Sequence, residues 1–281
     1  MIGLRSLATV LLTAGLVGCA EDSSAGREAP SPDDEARPLR ARVVVERAEG
    51  LGATRTNVSA KFFHASAEEI GAADQLVGFD VPRPSVGECA PLVETPALDV
   101  PDVSIDLLDV GDVSLRVPGS STDAWLSARA FPDVGELVSG VFYTSPDQAL
   151  GLPARGEYRI TVGCVDDECS SRAVADVELA AAAPSGPVGV AARLDPRGDL
   201  EITWDVAADD PEIVVDVVTE RPLRCSVEDT GRLVLSADAV SLDAESTVVV
   251  HHFARRVTTS ALVAVDGVVA FDLSKAVPVT R

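Results

Sequence analysis

Aromatic residues make up only 4% of this chain, and 281 residues contain three His, one Met and one Asn. So few rings argue against a sugar-binding face or a nucleobase platform, both of which lean on exposed aromatics. Positive charge is also short: 23 Lys and Arg face 45 Asp and Glu, for a net −22. A surface of that sign repels polyanions, so nucleic acid is excluded as a partner. The local signatures of common chemistries are missing as well. There is no G-x-S-x-G, no H-E-x-x-H, no G-x-x-x-x-G-K-S/T and no C-x-x-C, which removes the usual hydrolase elbow, zinc protease helix, phosphate loop and paired-thiolate zinc site. The apolar run Leu7 to Val17, broken by Thr9, Thr13 and Gly15, is too short to span a bilayer as a mature helix.

Ala, Val, Asp, Gly, Pro and Arg dominate, and Arg far outnumbers Lys. This bias is that of a G+C-rich genome and lowers the weight of single-residue choices, the sequon Asn57-Val58-Ser59 included. The valine-rich segments are short and alternate with polar residues, the pattern of half-buried strands. The spacing predicts strands at Arg42–Arg47, Thr54–Ala65, Glu157–Cys164, Ala173–Leu179, Ile213–Thr219, Arg232–Ser236 and Thr247–Arg255. It also predicts hairpins over Ser104–Val117, turning at Gly111-Asp112, and over Ala261–Leu273, turning at Asp266-Gly267. The expected fold class is all-β. Pro-rich stretches at 81–101 and 146–153 read as loops or edge segments.

The N-terminus is the most informative stretch. After one basic residue, Arg5, the apolar run ends in Leu16-Val17-Gly18-Cys19, which resembles a bacterial lipoprotein signal peptide. The resemblance implies cleavage before Cys19, a palmitate-type lipid on its thiol, and attachment to the membrane through that anchor. Ala20, rather than an Asp, follows the cysteine, which favours the outer membrane over the inner. Residues 20–40 are almost without apolar content and read as a flexible tether, because they cannot offset the entropy of ordering.

The small, periodless segment Ala181-Ala182-Ala183-Pro184-Ser185-Gly186-Pro187 is the expected domain boundary. Beyond it, Val188 and Val190, then Leu200, Ile202, Trp204 and Val206 with Glu201, Thr203 and Asp205 on the opposite face, resemble the opening of a fibronectin type III or Ig-like sandwich. The resemblance covers about 23 residues and implies a sandwich with Trp204 in its core, but no function. The expected layout is a signal peptide at 1–18, a lipidated tether at 19–40, and two β-sandwich domains at 41–183 and 184–281. It is similar to the two-domain exported lipoproteins of G+C-rich bacteria.

With Cys19 assigned to lipid, Cys89, Cys164, Cys169 and Cys225 remain, and an exported chain permits disulfides. Cys164 and Cys169 could close a hairpin, or Cys89 could reach either of them. Cys225, placed in the other domain, is the expected free, buried thiol. His251 and His252 are neighbours on one strand and point to opposite faces, so a single metal cannot easily take both; one is expected in the core and the other on the surface. His64 ends a strand. The acidic runs at Asp99, Asp102, Asp106, Asp109 and Asp112, at Asp166-Asp167-Glu168, and at Asp205, Asp209, Asp210 and Glu212 lack the spacing of a calcium loop and read as solvated turns. No metal, cofactor or catalytic residue is assigned. The expected function is a lipid-anchored envelope binding or structural module with a protein or polymer partner. The alternative is an envelope hydrolase whose carboxylates converge from distant positions. The first test is the anchor: radiolabelled palmitate should appear on the wild type and vanish in Cys19→Ala, and equal labelling of both would refute lipidation there.

Overall fold

The computed structural model describes residues 37–50, 52, 54–92, 103–117, 123–131, 137–145, 156–163, 177–209, 211–243, 245–259 and 265–281. Cys19, Cys164, Cys169 and the tether up to residue 36 lie outside them. The chain forms, in order, β1 (Leu39–Glu49), β2 (Arg55–His64), α1 (Ile70–Leu76), β3 (Cys89–Pro91), β4 (Ile105–Leu107), β5 (Asp112–Arg116), β6 (Ala124–Ala130) and β7 (Val138–Thr144). It continues with β8 (Gly156–Gly163), β9 (Val177–Ala183), β10 (Ala191–Leu194), β11 (Leu200–Thr203), β12 (Glu212–Val218), β13 (Leu223–Val227), β14 (Arg232–Leu235), β15 (Thr247–Thr259) and β16 (Val265–Thr280). The class is all-β, as the valine periodicity predicts.

Strand alternation decides which residues meet. In β1, Leu39, Ala41, Val43 and Val45 are buried on one face, while Arg40, Arg42, Val44 and Glu46 lie on the other. The same alternation in β16 turns Val265, Val269, Phe271 and Leu273 inward. The main sheet runs β3-β13-β12-β15-β16-β1-β2-β4-β7-β6, and β6 then passes into a second layer, β5-β8-β9. The inner faces of the two layers enclose one core, where Tyr158 meets Phe271 edge to face at 5.5 Å and Phe62 meets Tyr143 at 6.0 Å. A small sheet, β14-β11-β10, joins the end of β16. It covers a second core built on Leu200, Ile202, Trp204, Val215 and Val250. A third cluster, around Phe63, Val77, Phe79 and Leu107, lies on the outer face of the main sheet, under α1.

The two-domain division expected at 183/184 is not confirmed. Residues 36–281 form one compact unit, and β1 pairs in parallel with β16 from Leu39↔Val265 to Glu49↔Lys275. β15 and β16 are 13 and 16 residues long, enough for β16 to serve the first core with Phe271 and the second with Val277 and Val279. The presumed linker instead lies against these strands: His252 Nδ1 is 2.7 Å from the Ser185 carbonyl, and Gly186 sits beside Leu273. Ala181 to Ala183 belong to β9.

Neither predicted hairpin tip is a tip. β4 pairs with β2 and β7, whereas β5 pairs with β6 and β8, so residues 108–111 cross between layers. Gly111 has φ +89° there, and the Tyr143 hydroxyl fastens the crossing, accepting from the Val110 and Gly111 amides and donating to Asp109. Asp266-Gly267 lies inside β16. Gly267 faces β9 so closely that a Cβ would sit 2.6 Å from Leu179 Cδ2; packing, not turning, requires the glycine. In the C-terminal portion the first strand is β10, not Val188–Val190, and both Val188 and Val206 are exposed. Trp204 is buried, its Nε1 donating to Asp229 at 2.7 Å. Trp204→Ala should cost about 3–5 kcal/mol, the usual loss on emptying an aromatic site; denaturant unfolding that shifts by less than about 1 kcal/mol would show the site can collapse without it.

Candidate groove on the outer sheet face

Charged residues on a central strand need partners, because both faces of such a strand are normally covered. Here the outer face of β1, β16, β15 and β12 carries Arg42, Glu46, Asp272, Arg255, His251, Glu212 and Asp216, brought side by side by the register. The covering element is the excursion from β2 to β3. It starts at a reciprocal pair: the Ser66 amide donates to Glu69 Oε2 at 2.9 Å and the Glu69 amide to Ser66 Oγ at 3.3 Å. This Ser-x-x-Glu box, one turn ahead of α1, is a helix-start signal, and α1 follows with Ala73 buried. Residues 77–91 then run as a strap across the sheet to its far edge.

Ion pairs tie the strap down. Arg42, 3% exposed, donates to Asp74 at 2.7 Å and lies over the Phe79 ring. Burial raises the Asp74 pKa, opposed by Arg42. Lys61 Nζ donates to the Val77 carbonyl at the end of α1; burial lowers its pKa, and Glu46 works against that shift. Arg255 pairs with Asp80 at 2.5 Å and also lies over Phe79. Arg83 pairs with Glu212 at 2.9 Å and sits 4.9 Å above Phe253. At the far edge, the Gly87 amide donates to the Ser226 carbonyl and the Ser226 amide to the Glu88 carbonyl.

The strap ends in a covalent bond. β3 adds to the edge of β13 with Cys89 directly opposite Cys225, and the two form a disulfide across a sequence separation of 136. Cys225 is therefore not a free thiol. The free-thiol expectation rests on placing Cys89 and Cys225 in separate domains, a division the structure does not confirm. Cys89 is bonded to neither Cys164 nor Cys169.

Between strap and sheet lies a groove of about 530 Å³. Val44 and Ala270 form an apolar floor, Phe253 and Phe79 its aromatic walls, and Glu46 and Asp272 stand as cross-strand neighbours on β1 and β16. Beneath it runs a charge ladder. Arg224 donates to both carboxylate oxygens of Asp216 at 2.8 and 2.7 Å. Asp216 Oδ2 is 3.4 Å from His251 Nε2, a charge contact too long and poorly aligned for a good hydrogen bond. His251 Nδ1 is 2.8 Å from Asp272, and its ring stacks on Phe253 at 5.4 Å. Burial disfavours a charged imidazole, but the two carboxylates outweigh it and hold the His251 pKa at about 9. Burial likewise pushes Asp216 up, and the pull of Arg224 and His251 brings it down to about 2.

The expected surface histidine is thus a buried imidazolium, while His252, on the opposite face, is 1% exposed. His64 is exposed at the end of β2, with Nδ1 3.0 Å from the Arg37 carbonyl. Among the described residues of the acidic runs, only Glu212 lines the groove. Asp109 holds the crossing at Gly111, Asp106 meets Ser139, and Asp209 accepts from the Ser185 amide. Asp99, Asp102, Asp210 and Asp166 to Glu168 lie outside the described residues. Among the described residues no three His, Cys, Asp or Glu side chains are grouped as a metal site needs. None of their helices is long and apolar enough to cross a membrane. Comparison of the sequence with protein-family models finds no match, and neither does comparison with curated proteins.

The ladder makes stability depend on pH. His251 titrates near 6.5 when free and at about 9 when folded, so its contribution is complete below 6.5 and disappears as pH rises through 9. Asp216 moves the other way, from 3.8 to about 2: its contribution is present above 3.8 and is lost as pH falls through 2. Between pH 6.5 and 9.5 unfolding free energy should fall by roughly 3 kcal/mol at most through His251. In His251→Gln this decline should be absent; an unchanged slope would refute the ladder's role.

Proposed function

We propose that this chain is a lipid-anchored module of the bacterial envelope, on the outer rather than the inner membrane, that works by binding and has no catalytic activity. The groove is where its protein or polymer partner sits. The observation that carries this reading is the placement of His251 between Asp216 and Asp272. With both ring nitrogens facing carboxylates and a pKa of about 9, it is an imidazolium at neutral pH and offers no lone pair. It therefore cannot act as the base that nucleophilic catalysis requires. Of the other cations lining the groove, Arg83, Arg224 and Arg255 each hold a carboxylate, and Arg256 donates to the Arg255 carbonyl. Such groups hold a shape and a charge pattern ready for a partner, and this pre-organisation favours affinity. The net charge of −22 suits an approach by basic partners.

A second reading has one observation in its favour. Glu46 and Asp272 are neighbours on the floor of a concave groove, and paired carboxylates are the parts from which a hydrolase without a local motif is built. A screen of esterase, peptidase and glycosidase substrates separates the two. The binding module should show no turnover. Turnover that disappears in Glu46→Gln or Asp272→Asn would make the chain an enzyme.

A further inference from the structure

We infer that the groove selects a basic side chain, a lysine or arginine carried on a peptide segment with apolar neighbours. The inference rests on the binding reading above and adds the chemistry of the partner. On the outer face Arg42 pairs with Asp74, Arg255 with Asp80, Arg83 with Glu212 and Arg224 with Asp216, and His251 stands between Asp216 and Asp272. Lys61 and Glu46 are what remain. Among the described residues Glu46 has no ion-pair contact, only the neutral amide of Asn57 at 3.1 Å. Lys61 lies close enough to be felt, but its ammonium is held on the Val77 carbonyl. Arg256 is rooted on the opposite face of β15, across from core residue Val269, and its guanidinium turns back to the Arg255 carbonyl. The groove thus has one carboxylate that no cation contacts, next to a second carboxylate, on a chain that is itself strongly acidic.

The rest of the groove fits the stem of a long basic side chain. Val44 and Ala270 give an apolar track toward Glu46 and Asp272, and Lys and Arg bury their methylenes while presenting the charge. Beyond the track, Val81 on the strap is 50% exposed and Val257, two residues past Arg255 on the same face, is 76% exposed. A free small amine would leave both valines in water. A peptide places its flanking apolar side chains on them, which is why a peptide rather than a free amine is the inferred source.

The test uses the purified chain and blocked pentapeptides, acetyl-Ala-Val-Lys-Val-Ala-amide against the same peptide with Glu or Nε-acetyl-lysine at the centre, followed by backbone amide NMR. The lysine peptide should shift the amides of Glu46, Phe253 and Asp272, and the other two should not. Glu46→Gln should weaken the lysine peptide about tenfold, the equivalent of one charge-assisted hydrogen bond, and Glu46→Asp should restore part of it. Thermal unfolding of both variants at the wild-type midpoint shows the loss is not misfolding. Shifts in the groove with the glutamate peptide of equal affinity would overturn the inference and leave the groove as a binding site. Butylamine binding as tightly as the peptide would overturn the peptide source. Lysine-peptide shifts confined to another surface, or none, would overturn the cation site itself. The enzyme reading falls or stands separately, on the substrate screen.

Discussion

The parallel pairing of β1 with β16 is the constraint on which the rest depends. It joins the start of the described chain to its end, residue by residue from Leu39↔Val265 to Glu49↔Lys275. Parallel neighbours cannot be linked by a tight turn, so everything between them has to be folded around this pair. The inner faces of the two strands make the floor of the main core. Their outer faces make the floor of the groove. The same register that buries Val43 and Val269 sets Glu46 beside Asp272. Contacts of this sequence separation are slow to form, because loop closure precedes any reward from pairing.

The outer face is held by a different physics from the inner one. The two large cores are apolar and are filled by Val, Ile, Leu and a few rings. The strap is held down by guanidinium groups that each do two things: pair with a carboxylate and lie on a phenylalanine ring, as Arg83 does with Glu212 and Phe253. Arginine suits this because its planar, weakly hydrated head stacks and hydrogen-bonds at once. Exposed pairs such as Arg255–Asp80 contribute little each; the half-buried Arg42–Asp74 and Arg224–Asp216 pairs cannot lose one partner without leaving a buried charge. With the disulfide at the far end, the strap is fixed at several points along its length.

Much of the fold was legible in the sequence, and the site was not. Period-two alternation identifies β2, β8, β12 and most of β1 and β15 within a few residues, because one face of each is apolar and the other polar. Trp204 reads as core for the same reason. The division into two domains rests on the linker-like composition of Pro184 to Pro187 and is not confirmed, and composition does not reveal that β16 extends through both cores. Asp266-Gly267 was misread as a turn because a glycine required by the close approach of Leu179 looks like one required by positive φ. The groove had a faint signal: Glu46, Arg255 and Asp272 interrupt strands that are otherwise valine, alanine and phenylalanine. Ser66-x-x-Glu69 is a plain helix-start signal in the sequence. The Cys89–Cys225 bond had none, since it depends on which edge β3 joins.

The position of β1 has a mechanical consequence. This strand is the first of the described residues and is flanked by β16 on one side and β2 on the other along nearly its whole length. A load applied along β1 is resisted by hydrogen bonds that run across it, perpendicular toward β2 and slanted toward β16. Such bonds share the load in shear and must fail together, unlike those of a strand peeled from its end. Glu46 rides on the same strand. Tension along β1 would therefore bear on the floor of the groove.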